Sequence, residues 1–302
     1  MYCSLSMAAR LCVLLHAARA LVAPVVPVRG RALRRGAGGA SGDATPLSDS
    51  FEGAVADASG ALLRCIGDGE LRVRLDFDTS CGDATYTPLK QSMEFAREVA
   101  IEWALSLEDG QVLAVWFPDA GAAALARREW KVDDPAVALV PPNVRLAAFP
   151  RDAIEDGDAA FFALCPRAPE RDATEALVVG AAGTGRPVAL LNPYLVDMGT
   201  TGFGMSGRMF KERLVDTLAP AYYLRTLDWG AVARTYPRAY ALWKEDAAAD
   251  GGYALVKRFD ALPNDEDLEE LYYAENSGGG GGDPLSAALG ELGKFVANFG
   301  KL

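Results

Sequence analysis

The chain has 302 residues, half of them apolar, and a formal net charge of −11, which is enough apolar material for one large core or two small ones. The charge is uneven: residues 1–42 hold Arg10, Arg19, Arg29, Arg31, Arg34 and Arg35 and no acid, so the remainder sets 24 basic residues against 41 acidic ones, a net of −17. A body that acidic repels nucleic-acid backbones and anionic lipid, and excludes both as general partners.

Residues 11–18 (LCVLLHAA) follow Arg10 and form an apolar run too short to span a bilayer. Ala18-Arg19-Ala20 is a small-x-small cleavage pattern, so the sequence predicts a signal peptide ending at Ala20. Residues 21–42 are arginine-rich and acid-free, as transit peptides are. A signal peptide followed by such a stretch resembles the two-part presequence of proteins imported into complex plastids. The expected location is therefore the plastid, stroma or thylakoid-associated, with secretion as the alternative. The one histidine, His16, falls in this leader. Its removal leaves no imidazole for Ser-His-Asp or Cys-His catalysis or for a metal site. Cys65, Cys81 and Cys165 remain, an odd and widely spaced trio without CxxC, which reads as buried free thiols. No transmembrane segment, metal site or cofactor is expected in the mature chain.

The body reads as alternating helices and strands. A helical stripe covers residues 48–66 with Ser48 as its N-cap, closed by Gly67-Asp68-Gly69. Leu71, Val73, Leu75 and Phe77 alternate with charged residues, a half-exposed strand. The loop after it brings together Asp76, Asp78 and Asp83 with hydroxyl side chains. Carboxylates at a strand end can bind a cation or move a proton, but the same residues also form turns and caps. A long helix over 89–107 follows, then a buried strand over 111–117 whose carboxyl end is closed by Pro118-Asp119, and an alanine-rich helix over 120–130. Further strands are expected at 144–149 and 159–165, and a helix at 172–182. The glycines at 180, 183 and 185 stop that helix; a dinucleotide fingerprint would instead open one after a strand.

Residues 186–210 organise the rest. An apolar strand at 187–191 stops at Asn192-Pro193, four glycines follow (Gly199, Gly202, Gly204 and Gly207), and Arg208 opens a helix expected over 209–219. In an open α/β sheet, ligands lie at such a crossing. Short β-rich runs at 222–227, 231–236, 239–244 and 253–259 then read as an antiparallel meander, followed by an acidic helix at 264–275, the glycine linker 278–282 and a weakly helical tail. The expected fold is α/β: a Rossmann-like three-layer sandwich with a mainly parallel sheet and a C-terminal antiparallel β-meander. The expected organisation is a presequence at 1–42, one domain at 46–275, and a linker and tail at 276–302.

The order of several short motifs carries a resemblance. They are W-F-P-D at 116–119, the alanine-rich helix ending in Trp130, L-L-N-P-x-L-x-D at 190–197, and A-Y-Y-L-R-x-L at 221–227 followed by R-x-Y-P at 234–237. Together they resemble the plastid and cyanobacterial domain-of-unknown-function family nineteen-ninety-five. That family includes the low photosystem II accumulation protein of plant chloroplasts, and D-F-D-T-S-C-G-D-A-T-Y-T-P-L-K at 76–90 is similar to this photosystem assembly branch. The resemblance implies a plastid auxiliary protein that assists photosystem II assembly or accumulation through protein contacts, with photosystem II subunits or assembly factors as partners. It brings no catalytic residues. An adenylate kinase extension also belongs to the family, but this chain has no phosphate-binding loop for that activity.

The residues themselves suggest an alternative: a phosphate- or carboxylate-binding protein, or an enzyme, using the crevice at the carboxyl ends of the strands. Asp76, Asp78, Asp83, Asp119 and Asn192 would face that crevice. Arg208, oriented by Asp197, would hold the anion, and Arg225 and Arg234 on adjacent meander strands would add to it.

Overall fold

The computed structural model describes residues 44–48, 50–77, 88–196, 204–249 and 252–277. Residues 1–43 with His16, the residues Asp78, Cys81, Asp83 and Asp197, and residues 278–302 lie outside the described residues, so the expected presequence, linker and tail fall there.

One nine-stranded sheet organises the domain, in the order β3-β2-β4-β5-β1-β6-β7-β8-β9. The strands β1 (Arg72–Phe77), β2 (Val112–Phe117), β3 (Val144–Ala148), β4 (Asp158–Leu164), β5 (Val188–Leu191) and β6 (Ala219–Leu227) run parallel. β7 (Gly230–Thr235), β8 (Tyr240–Glu245) and β9 (Tyr253–Phe259) continue it antiparallel. The expected α/β fold is thus present, with one refinement. The meander is no separate extension, because β6 pairs with β1 on one side and with β7 on the other.

Helices cover both faces. α1 (Phe51–Gly67), α2 (Pro88–Leu105) and α3 (Ala120–Glu129) share a core with Val73, Leu75, Val115, Phe117 and Phe162. Trp103 of α2 meets Phe162 edge-on at 5.9 Å between ring centres. α4 (Arg171–Gly183) and α5 (Met205–Arg213) cover the opposite face, where Trp116, Phe161, Val188, Leu190 and Phe210 pack. This split follows from strand alternation, since neighbouring residues of a buried strand serve opposite layers. α6 (Asp265–Ser277) lies on the same side as α4 and α5 but over the antiparallel strands, through Leu268 and Leu271. Among the described residues, no helix is long and apolar enough to cross a membrane.

Two local expectations are corrected. The N-cap of α1 is Ser50, whose side chain accepts from the Gly53 N–H at 3.1 Å; Ser48 instead donates to Asp57 at 2.6 Å. The helix expected at 209–219 starts at Met205 and ends at Arg213, because residues from Ala219 onward are drawn into pairing with β1. Tertiary pairing overrides the helical pattern there.

The β3–β4 connection has no helix. β3 and β4 flank β2 and run parallel to it, so residues 149–157 must carry the chain back across β2. Phe149 and Ile154 of this strap join the core on the α4 side. Ionic and polar contacts pin the strap. Arg145 forms a bidentate pair with the buried Asp158 and a second ion pair with Glu155 at 3.2 Å, and Arg186 donates to the Asp158 carbonyl at 2.9 Å.

Candidate functional site

The chain leaves β1 for the α2 face and leaves β5 for the α5 face. The carboxyl ends of these neighbouring strands therefore form a topological switch point, the place where open α/β sheets hold ligands. Asn192 sits in that gap. Its Oδ1 accepts from the Phe77 N–H at 2.7 Å, and its Nδ2 donates to the Phe77 carbonyl at 2.9 Å and to Ser92 Oγ at 3.0 Å. The side chain extends the sheet where the strands would otherwise part. Its backbone is left-handed at φ 45°, and Cys165, at the end of the adjacent β4, is left-handed at φ 47°. Ser92 also reaches the Cys165 thiol, which burial raises to about 11, with the Ser92 hydrogen bond and the Arg167 charge offsetting only part of the rise. Non-glycine residues in this conformation mark positions that the surrounding structure holds against local preference.

A second group of polar side chains lies on the face of the sheet beside this gap. Register places Asp76 of β1 opposite Tyr223 of β6, and Tyr223 opposite Arg234 of β7. Arg234 lies over the Tyr240 ring at 4.7 Å, and the Tyr223 and Tyr240 rings meet edge-on at 5.6 Å across the intervening strand. The two phenols therefore lean together above Arg234. Asp76 is held by Arg74 two residues earlier, with Nε at 2.7 Å. Burial raises the Asp76 carboxyl above the ordinary range, and Arg74 lowers it by less. Burial also raises Tyr223 and Tyr240, with Arg225 and Arg234 respectively working the other way. Buried and without a hydrogen-bond partner is Arg234 Nε. Tyr223 and Tyr240 of this row belong to the layer under α6.

The predicted site residues thus fall into different places. Asp76 lies on β1, Asn192 at the end of β5, Arg225 on β6 and Arg234 on β7, although Asn192 spends its amide on the Phe77 backbone and Ser92, and Arg225 pairs with Asp265 of α6 at 2.6 Å. Asp119 belongs to the carboxyl end of β2, two strands from Asn192, a separation of about 10 Å. It is exposed and caps α3, accepting from the Ala122 N–H at 2.9 Å. Arg208 is exposed on α5. Asp78, Asp83 and Asp197 fall outside the described residues.

Sequence reasoning missed Arg74, Tyr223, Tyr240, Ser92 and Cys165. The signal for Arg74 and Tyr223 was present as alternation. Arg74 and Asp76, and Tyr223 and Arg225, stand two apart on their strands, so each pair shares a face. β1 read as half-exposed, and its polar side is only partly covered although the strand lies between β5 and β6. Among the described residues no group of three or more His, Cys, Asp or Glu side chains is placed to hold a metal ion.

A family model described as "Domain of unknown function (DUF1995)" matches residues 49–270. No curated protein matches the chain.

Proposed function

The chain belongs to the DUF1995 family, and from that premise we propose that it serves in the plastid as an auxiliary protein of photosystem II assembly, acting through contact with a protein partner. The motif order described above and the two-part leader support the location and the role. The structural observation that carries a contact role is the exposure of large apolar side chains after the end of β5 and on α5. Met205 is 79% exposed, Tyr194 59% and Met209 55%. Met205 and Met209 are one turn apart on α5, and Tyr194 follows the end of β5. Methionine is unbranched and polarisable, which suits a surface that must fit an irregular partner. Both described cysteines are buried thiols with raised pKa values, Cys65 up to about 12 and Cys165 to about 11, so neither offers a thiolate nucleophile at neutral pH.

The test is recovery of the tagged full chain from detergent-solubilised thylakoids, with co-purifying proteins identified by mass spectrometry. Photosystem II core subunits are expected with the wild type and are expected to be depleted with Met205→Ser/Met209→Ser, a change on an exposed face that alters stability by only about 0.5 kcal/mol. Recovery without photosystem II subunits, or equal recovery with the variant, removes the proposal.

One observation favours the alternative of anion binding. A buried guanidinium nitrogen without an acceptor, Arg234 Nε, lies beside two phenols. Inorganic phosphate, sugar phosphates or small carboxylates would raise the melting temperature of the wild type and not of Arg234→Lys. No shift at millimolar anion would rule this alternative out.

A further inference from the structure

The strap that returns the chain across β2 does more than connect two strands. Between it and α4 is a cavity of about 280 Å³. Trp116 of β2 forms part of its lining, Phe149 and Ile154 come from the strap, and Leu177 and the small Ala176 come from α4. The Trp116 and Phe149 rings are 5.0 Å apart and tilted, so the wall is aromatic. A cavity of about 150 Å³ suffices for benzene, so this one admits a ring with a short side arm. One charged group lines it, Asp152. The Asp152 Oδ2 accepts from the Ala148 N–H at 2.8 Å, and the Asp152 N–H donates to the Ala148 carbonyl at 3.0 Å. This reciprocal pair fixes the carboxylate at the start of the strap and leaves its other oxygen able to accept.

Arg145 makes its ion pairs with Asp158 and Glu155 and none with Asp152. The strap is held at both ends by the Asp152 and Asp158 contacts, so the cavity is formed before any ligand arrives and costs little to organise.

We propose that this cavity is a binding site for a small aromatic amine, its ring against Trp116 and Phe149 and its ammonium on Asp152. An open apolar cleft with one fixed, exposed carboxylate favours a cationic head over a carboxylate of the same shape. The site lies on the α4 side of β2 and is independent of the Met205–Met209 surface and of Arg234.

The experiment titrates the full chain by calorimetry with 2-phenylethylamine and, in parallel, with 3-phenylpropionate, while following the Trp116 indole N–H resonance. The amine is expected to bind saturably and to shift that resonance, and the propionate to do neither. Ala176→Phe, a change at an exposed helix position, fills the cavity and is expected to abolish amine binding with the melting temperature retained. Asp152→Asn keeps an oxygen for the Ala148 N–H and is expected to weaken the amine by about tenfold. Absence of saturable amine binding overturns the proposal. So does equal binding of the propionate, or amine binding that survives Ala176→Phe.

Discussion

The side-chain amide of Asn192 bonds the main chain of Phe77 in both directions, accepting from its N–H at 2.7 Å and donating to its carbonyl at 2.9 Å. A third bond runs to Ser92 Oγ at 3.0 Å. These three bonds join the ends of two strands whose chains depart to opposite faces, and they occur at a left-handed residue.

Two substitutions separate the amide from the backbone. Asn192→Gly keeps the left-handed conformation without strain and loses the three bonds, leaving the Phe77 groups without their partner; the expected loss is about 2–4 kcal/mol. Asn192→Ala loses the same bonds and adds about 1 kcal/mol for a Cβ in the left-handed region. Urea unfolding of both variants checks this. Equal stabilities would mean that the backbone there relaxes at no cost.

Asp76 predicts an unusual pH dependence. Burial raises its folded pKa above the ordinary value of 3.8, Arg74 opposing in part. Between the unfolded and the raised folded pKa, the native state binds more protons than the unfolded one, so stability falls as pH rises through that window. Asp76→Asn removes this titration. The advantage of the wild type over the variant should therefore shrink as pH rises from 3.8, measured by urea unfolding at successive pH values. An advantage that grows with pH would show that Arg74 outweighs burial.

The fold was legible where a strand is buried on both faces or a helix carries a full apolar stripe. The runs at 111–117 and 187–191 are continuous apolar stretches and became β2 and β5 within a residue. The α5 boundary was not legible, because residues 214–219 keep a helical spacing and only pairing with β1 makes Ala219 a strand residue. The site was half legible. Asp76, Asn192, Arg225 and Arg234 were singled out one by one, yet their relation depends on β1 lying between β5 and β6, an order that no local pattern encodes. Asp119 illustrates the opposite error: a carboxylate at a strand end whose side chain is spent on capping the next helix. The strap was invisible as a wall, since nine residues without periodicity read as loop.

Glycine substitutions test the pairing of β7 with β8 and the helix propensity of α1. A Cβ on Gly230 would stand 2.0 Å from the Trp243 carbonyl oxygen and 3.0 Å from its carbon, both backbone atoms of the paired strand. Gly230→Ala must push β7 from β8, and the expected loss is about 3 kcal/mol. Gly60, exposed within α1, has nothing within 4 Å of its Cβ position, so Gly60→Ala should stabilise by about 0.5–1 kcal/mol through helix propensity. Thermal or urea unfolding gives both signs. A neutral Gly230→Ala would mean that the strands are not in the register described.

The cysteines give a chemical test of the helical layer formed by α1 and α2. Cys65 is buried where α1 meets the sheet, and Cys165 ends β4 beneath Ser92 of α2. Burial, aided by Glu70 and Asp68 against Arg234, pushes Cys65 up to about 12; burial alone pushes Cys165 up to about 11. The alkylating species is the thiolate. At pH 8 its fraction is then about 1 in 10⁴ for Cys65 and about 1 in 10³ for Cys165, against roughly a quarter for an unperturbed thiol, and the enclosing side chains block the reagent as well. Iodoacetamide at pH 8 should therefore leave both cysteines unmodified in the native full chain and modify both in guanidinium, as read by peptide mass mapping. If Ser92→Ala exposes Cys165 to alkylation while Cys65 stays protected, the α2 contact guards that strand end separately from the α1 layer. Native modification of Cys65 at a rate near that of the unfolded chain would place α1 off the sheet and overturn the core described for that face.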